Sequence, residues 1–148
     1  MLRPFLSLLI AAPLAFAAPV PKELKGNDDA RNILGTWEMT RFSHYGKDPA
    51  PQTDTILWRF DGDGRGVVTN PKETEIGYKL LPAESPNAQK SFDYRWVDSH
   101  FKGLYRLDGD TLRIAVDSSG GKVRAAELGP GKNLYYWEFR RVKPEDKR

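Results

Sequence analysis

A chain of 148 residues with 39% hydrophobic and 29% charged residues is long enough for one domain with its own core, since a domain of this size buries roughly two-thirds of its extended-chain surface. The formal net charge is only +3, and the 23 basic and 20 acidic residues alternate along the chain. Only Arg140, Arg141 and Lys143 cluster, which argues against a nucleic-acid partner. With no cysteine, disulfides, thiol chemistry and cysteine-ligated metals are excluded.

The N-terminus reads as an export signal over residues 1–17. Arg3 supplies the positive start, Phe5 to Phe16 is apolar apart from Ser7 and Pro13, and Ala15-Phe16-Ala17 fits a small-x-small cleavage site. The apolar run is short for a bilayer span, and no cysteine follows it that would take a lipid anchor. Cleavage after Ala17 removes Arg3, lowers the net charge by one and leaves no second long apolar segment. These features predict an exported protein, periplasmic or extracellular, with no membrane span after cleavage. Residues 18–32 mix proline, lysine and acids without periodicity and read as a flexible leader, followed by a single domain over 33–143 and a disordered tail over 144–148.

The domain opens with Gly35-Thr36-Trp37, a small-residue pair and a large aromatic at the start of the first strand-like run. Glycine allows a sharp bend there, and the indole suits the closed end of a small barrel. Beyond it, apolar residues recur at every second position. Trp58 and Phe60, then Ile76, Tyr78 and Leu80, then Phe92, Tyr94 and Trp96, then Leu112, Ile114 and Val116 each share one face of an extended run. Asp61-Gly62-Asp63-Gly64, Asp108-Gly109-Asp110, Ser118-Ser119-Gly120-Gly121 and Gly129-Pro130-Gly131 supply the turns. The predicted strands are about 36–43, 55–60, 65–69, 73–80, 91–97, 101–107, 111–117, 122–128 and 133–142. The run 122–128 fits either a barrel strand or a segment outside it. The longer connections, His44 to Asp54 and Leu81 to Lys90, are where binding sites tend to lie.

A meander of this many strands removes its two edges by closing on itself. The expected fold is all-β, a single antiparallel up-and-down barrel of about eight strands. Eight strands enclose an interior that side chains fill or that holds one small ligand.

The candidate chemistry is sparse. Asp61, Asp63 and Gly66 match three positions of a calcium loop, but Arg65 and Lys72 occupy two others and the loop joins strands, so a hairpin turn is expected and no metal site. Asp98-Ser99-His100 holds the residue types of a hydrolytic triad, yet consecutive residues of an extended chain face opposite ways. No Gly-x-Ser-x-Gly elbow is present, and His44 and His100 are the only histidines. The expectation is no enzyme, no catalytic residue and no cofactor.

Gly35-Thr36-Trp37 resembles the Gly-x-Trp signature of lipocalins. The run from Lys102 to Leu112, Lys-Gly-Leu-Tyr-Arg-Leu-Asp-Gly-Asp-Thr-Leu, resembles the central hairpin of a family of exported lipocalin-like domains abundant in planctomycete bacteria. The likeness spans roughly 33–143. It departs at Ala115, where the family often has a cysteine, and over 124–128, where only Arg124 and Glu127 match the family's Arg-Pro-Thr-Glu-Phe run. The resemblance implies a lipocalin-like barrel and no reaction. It also implies an arginine of the last strand stacked over the signature tryptophan. Arg141 continues the face of Tyr135, Trp137 and Phe139, so Gly35, Trp37 and Arg141 are the expected closure residues, and any ligand enters at the other end.

Trp58, Phe60, Tyr78, Tyr94, Trp96, Tyr105 and Trp137 are the candidate ligand-binding residues, as the lining of a cavity or equally as a filled core. The expected function is an exported, monomeric binding module for a small apolar molecule. The alternative is a structural or protein-interaction module with a partner protein in the cell envelope.

Overall fold

The computed structural model describes residues 28–83 and 88–144. The expected signal over 1–17, the leader up to residue 27 and the tail from residue 145 lie outside the described residues.

The strands, in chain order, are β1 (Gly35–His44), β2 (Ala50–Pro51), β3 (Leu57–Phe60), β4 (Arg65–Asn70), β5 (Lys72–Leu81), β6 (Lys90–Trp96), β7 (Ser99–Asp108), β8 (Thr111–Asp117) and β9 (Leu134–Arg141). Neighbours pair antiparallel in the order β2-β1-β3-β4-β5-β6-β7-β8-β9, and β1 also pairs β9. That last pairing closes β1 and β3 to β9 into an eight-stranded up-and-down barrel, the lipocalin-like architecture expected. The two-residue β2 is a flap on the upper half of β1, paired at Arg41↔Pro51 and Phe42↔Ala50.

The closing seam runs from Trp37↔Arg141 to His44↔Tyr135, with a register shift between Met39 and Arg41. The extra residue, Thr40, bonds through its hydroxyl to the Glu138 carbonyl at 3.1 Å. A bulge of this kind bends the strand and reverses its parity. The inward residues of β1 are therefore Trp37 and Met39 below the bulge and Phe42 above it, all packed in one apolar cluster.

The run 122–128 is not a barrel strand. Its only pairing among the described residues is a parallel bridge, Lys102↔Arg124, with Ala125 N–H donating to the Lys102 carbonyl at 3.3 Å. Arg124 pins the segment across the outside of the barrel through Asp93 and through the Gly103 carbonyl, the latter at 2.8 Å. Beneath it, Ala125 packs with Leu104, Ala115, Leu134 and Tyr136. The open-end halves of β8 and β9 are thus covered on both faces, while Arg113 and Arg140 nearer the plug stay exposed.

The end of the barrel where β1 starts and β9 stops is plugged. Residues Asp28–Asn32, part of the segment expected as a flexible leader, form a helical turn, α1. Ile33, fully buried, follows it into the barrel end. The Trp37 indole N–H donates to the Ile33 carbonyl at 2.7 Å. Asp29 accepts hydrogen bonds from Lys90 Nζ at 2.6 Å and Tyr105 Oη at 2.8 Å. Gly35 has φ +112, a conformation that L side chains rarely adopt, and it turns the chain from the plug into β1.

Candidate functional site

The two halves of the interior differ. Toward the plug, Trp37, Phe60, Phe92, Tyr105, Leu112 and Phe139 are almost completely buried. Rings meet there edge to face, Phe60 with Tyr78 at a centroid separation of 4.9 Å and with Phe92 at 6.2 Å. Toward the other end the walls stand apart around a cavity of about 410 Å³.

Strand β1 contributes Met39 and Phe42 to this cavity, and the connection from β2 to β3 contributes Gln52 and Ile56. Trp58 and Val68 come from β3 and β4, with Asn70 at the lip. Tyr94 and Trp96 of β6, Phe101 of β7, and Tyr135 and Trp137 of β9 complete the wall. The lining is aromatic and aliphatic apart from the carboxamides of Gln52 and Asn70 and the hydroxyls of Tyr94 and Tyr135. Among the described residues, no charged side chain lines the cavity.

Of the seven aromatics expected at a ligand site, Trp58, Tyr94, Trp96 and Trp137 line the cavity. Phe60, Tyr78 and Tyr105 lie in the plugged half. The Tyr78 hydroxyl donates to the Asp61 carbonyl at 2.6 Å, and Tyr105 is held by Asp29. Alternation places all seven on the inner face, but depth along the barrel axis depends on the stagger between strands, which alternation does not carry. Phe101 and Tyr135 share the inward parity of their strands and were within reach of the same reasoning. Ile56 shares the alternation of Trp58 and Phe60 within the expected strand 55–60, whereas Phe42 was hidden by the bulge and Gln52 by its place in a connection.

The closure residues meet at the plug. Arg141 Cζ lies 4.2 Å from the Trp37 ring centroid, and its Nη1 donates to the Leu34 carbonyl at 2.8 Å.

At the rim, two side chains are exposed and strained together. Tyr45 (56% exposed, φ 54) and Val97 (62% exposed, φ 52) both occupy the left-handed region without being glycine. For a β-branched residue that conformation is especially costly. Tyr45 and Tyr135 share a hydrogen bond between hydroxyls at 3.1 Å. That bond, more than burial, raises the Tyr135 pKa above the ordinary phenol value. Burial, followed by the neighbouring Tyr135, pushes the Tyr94 hydroxyl well above it, so it stays a hydrogen-bond donor at any physiological pH. The Trp58 indole N–H is buried and has no hydrogen-bond partner among the described residues.

The other sequence candidates stay apart from the cavity. Asp61 and Asp63 sit in the β3–β4 turn, where Arg59 Nε lies 3.3 Å from Asp61 and Arg65 Nε donates to Asp63 at 2.7 Å. The Arg65 hydrogen bond lowers the Asp63 pKa. Ser99 and His100 open β7 opposite Trp96 and Arg95. No group of three or more metal-ligating side chains occurs among the described residues, and no described helix is long and apolar enough to cross a membrane.

The chain has no significant match to a family model, a curated protein or a solved structure.

Proposed function

We propose that this protein is an exported, monomeric, non-enzymatic binding module of the lipocalin-like family that its Gly35-Thr36-Trp37 start and its 102–112 hairpin resemble, and that it holds a small apolar molecule in the open half of its barrel. The observation that carries this reading is the contrast within one interior. One half is packed to closure, while the other surrounds a cavity of about 410 Å³ with apolar walls. Ligand sites are typically apolar concavities of this size with a few polar groups.

Native mass spectrometry of the protein purified from its own host tests the reading. The expected result is a mass increment that disappears on denaturation. Protein that carries no increment, and that also fails to take up a neutral apolar fluorophore, overturns it. The alternative, an interaction module of the cell envelope, calls for a coherent exposed apolar patch. The exposed large apolar side chains among the described residues are only Tyr45, Val97 and Val123, against a cavity wall that gathers Trp58, Trp96, Phe101 and Trp137, which favours the cavity.

A further inference from the structure

We infer that the cavity selects a flat, uncharged aromatic molecule bearing a hydrogen-bond acceptor, of the size of a substituted bicyclic ring. This rests on the reading of the barrel as a small-molecule binding module and gives its ligand a chemical class.

Charge is decided first. With no charged side chain in the lining among the described residues, a carboxylate or ammonium entering the barrel gives up its hydration and finds no counter-charge, a loss that apolar contact does not repay.

Flatness follows from the rings. Phe42, Tyr135 and Trp137 share nearly one orientation, with interplanar angles of 19°, 17° and 20° between pairs. Tyr94 and Phe101 share another, 15° apart. The two sets stand nearly at right angles, 80° between Tyr94 and Trp137 and 71° between Phe101 and Tyr135. A planar ring aligned with either set is edge-on to the other, so one guest satisfies both of the arrangements that aromatic pairs prefer. A saturated guest of equal volume gains dispersion alone.

The acceptor follows from the donor. The Trp58 N–H is closed off within the wall, reached by neither solvent nor any described partner, so the donor left for a guest is the Tyr94 hydroxyl. Tyr94 belongs to the cavity wall and its hydroxyl stays protonated, able to donate. A carbonyl, ether or ring nitrogen on the guest supplies the partner. At the packing density of protein interiors, about 410 Å³ accommodates roughly twenty non-hydrogen atoms, enough for a bicyclic ring with substituents.

The test is isothermal titration of the mature chain with four matched compounds: 2-acetylnaphthalene, 2-ethylnaphthalene, 2-naphthoate and 2-acetyldecalin. The expected order has 2-acetylnaphthalene at least tenfold tighter than both the naphthoate and the decalin, and at least threefold tighter than the ethyl compound. Equal or tighter binding of the decalin overturns flatness, of the naphthoate overturns neutrality, and of the ethyl compound overturns the acceptor. Each of those results leaves the binding function standing. Failure of all four to bind overturns the inference, and the uptake measurements on host-purified protein then decide the function separately.

Discussion

Arg141 stands over Trp37 with its Cζ 4.2 Å from the ring centroid while its guanidinium also donates to the carbonyls of Leu34 and Asn32. One side chain therefore joins the last strand, the first strand and the plug. Arg141→Ala is expected to destabilise the fold by about 2 kcal/mol, from the lost cation–π contact and the carbonyls left without their donor. Arg141→Lys restores only part of this, because an ammonium does not present the planar fork that reaches ring and carbonyls together. Urea unfolding of the three proteins measures both differences. Equal midpoints would contradict the joint.

Gly35→Ala tests the turn into β1. An added Cβ meets only Arg141 Nη1 at 3.4 Å, ordinary contact, so space is not the obstacle. The φ of +112 is the obstacle, and about 1–2 kcal/mol of destabilisation is expected from that conformation. A substitution that leaves the unfolding midpoint in place would show that the turn relaxes freely.

Asp29 fastens α1 to the barrel. Asp29→Ala leaves the buried Tyr105 hydroxyl without its acceptor and is expected to cost about 1–3 kcal/mol. Asp29→Asn keeps an acceptor and is expected to cost less. Hydrogen exchange should show faster opening of residues 28–34 in the alanine variant while the amides of β8 and β9 stay protected. Uniform loss of protection would mean that the plug and the barrel unfold as one.

Alkaline pH should weaken the protein through its tyrosines. Burial, together with the hydrogen bond to Glu138, pushes Tyr136 up to about 12, and burial raises Tyr94 and Tyr105 further. In the unfolded chain these phenols ionise near pH ~10. The folded protein then holds protons that the unfolded chain has released, so stability is full below about pH 10 and falls as the pH rises beyond it. Urea midpoints between pH ~8 and ~11.5 give the slope, and tyrosinate absorbance at pH ~11 should be lower in folded than in denatured protein.

Val68 is almost fully buried and lines the cavity. Val68→Phe is expected to fill part of the space and weaken ligand binding at least tenfold, with a change in stability of about 1–3 kcal/mol at most from overpacking. Titration checks the first and thermal unfolding the second. Unchanged affinity would move the ligand out of the barrel.

Much of this architecture was legible in the chain because the signals were local and periodic. Alternation through Phe92-Asp93-Tyr94-Arg95-Trp96 and Leu112-Arg113-Ile114-Ala115-Val116 marks β6 and β8, and the parity of Tyr135, Trp137 and Phe139 puts Arg141 on the face where Trp37 is found. The bulge at Thr40 was not legible, since nothing in Trp37-Glu38-Met39-Thr40-Arg41-Phe42 announces an extra residue, and Phe42 went unassigned as a result. The segment 122–128 was ambiguous because its alternation is weak, and its position follows from the Arg124 contacts with Asp93 and Gly103. The plug was missed because α1 is five residues long, too short for helical periodicity, and its stability comes from Asp29 and Ile33 contacts with distant strands. The division of the aromatics into a packed half and an open half depends on strand stagger, a property of pairing rather than of any one strand.

The plug also decides how the protein can be held. The Val142 N–H bonds to the Thr36 carbonyl at 2.9 Å, and Asp29 bonds to Tyr105 and Lys90, so the chain arrives at residue 28 and departs at residue 144 on the sealed side. An affinity tag, surface linker or fusion partner attached beyond either point anchors the barrel by its base and leaves its mouth turned outward to the solution.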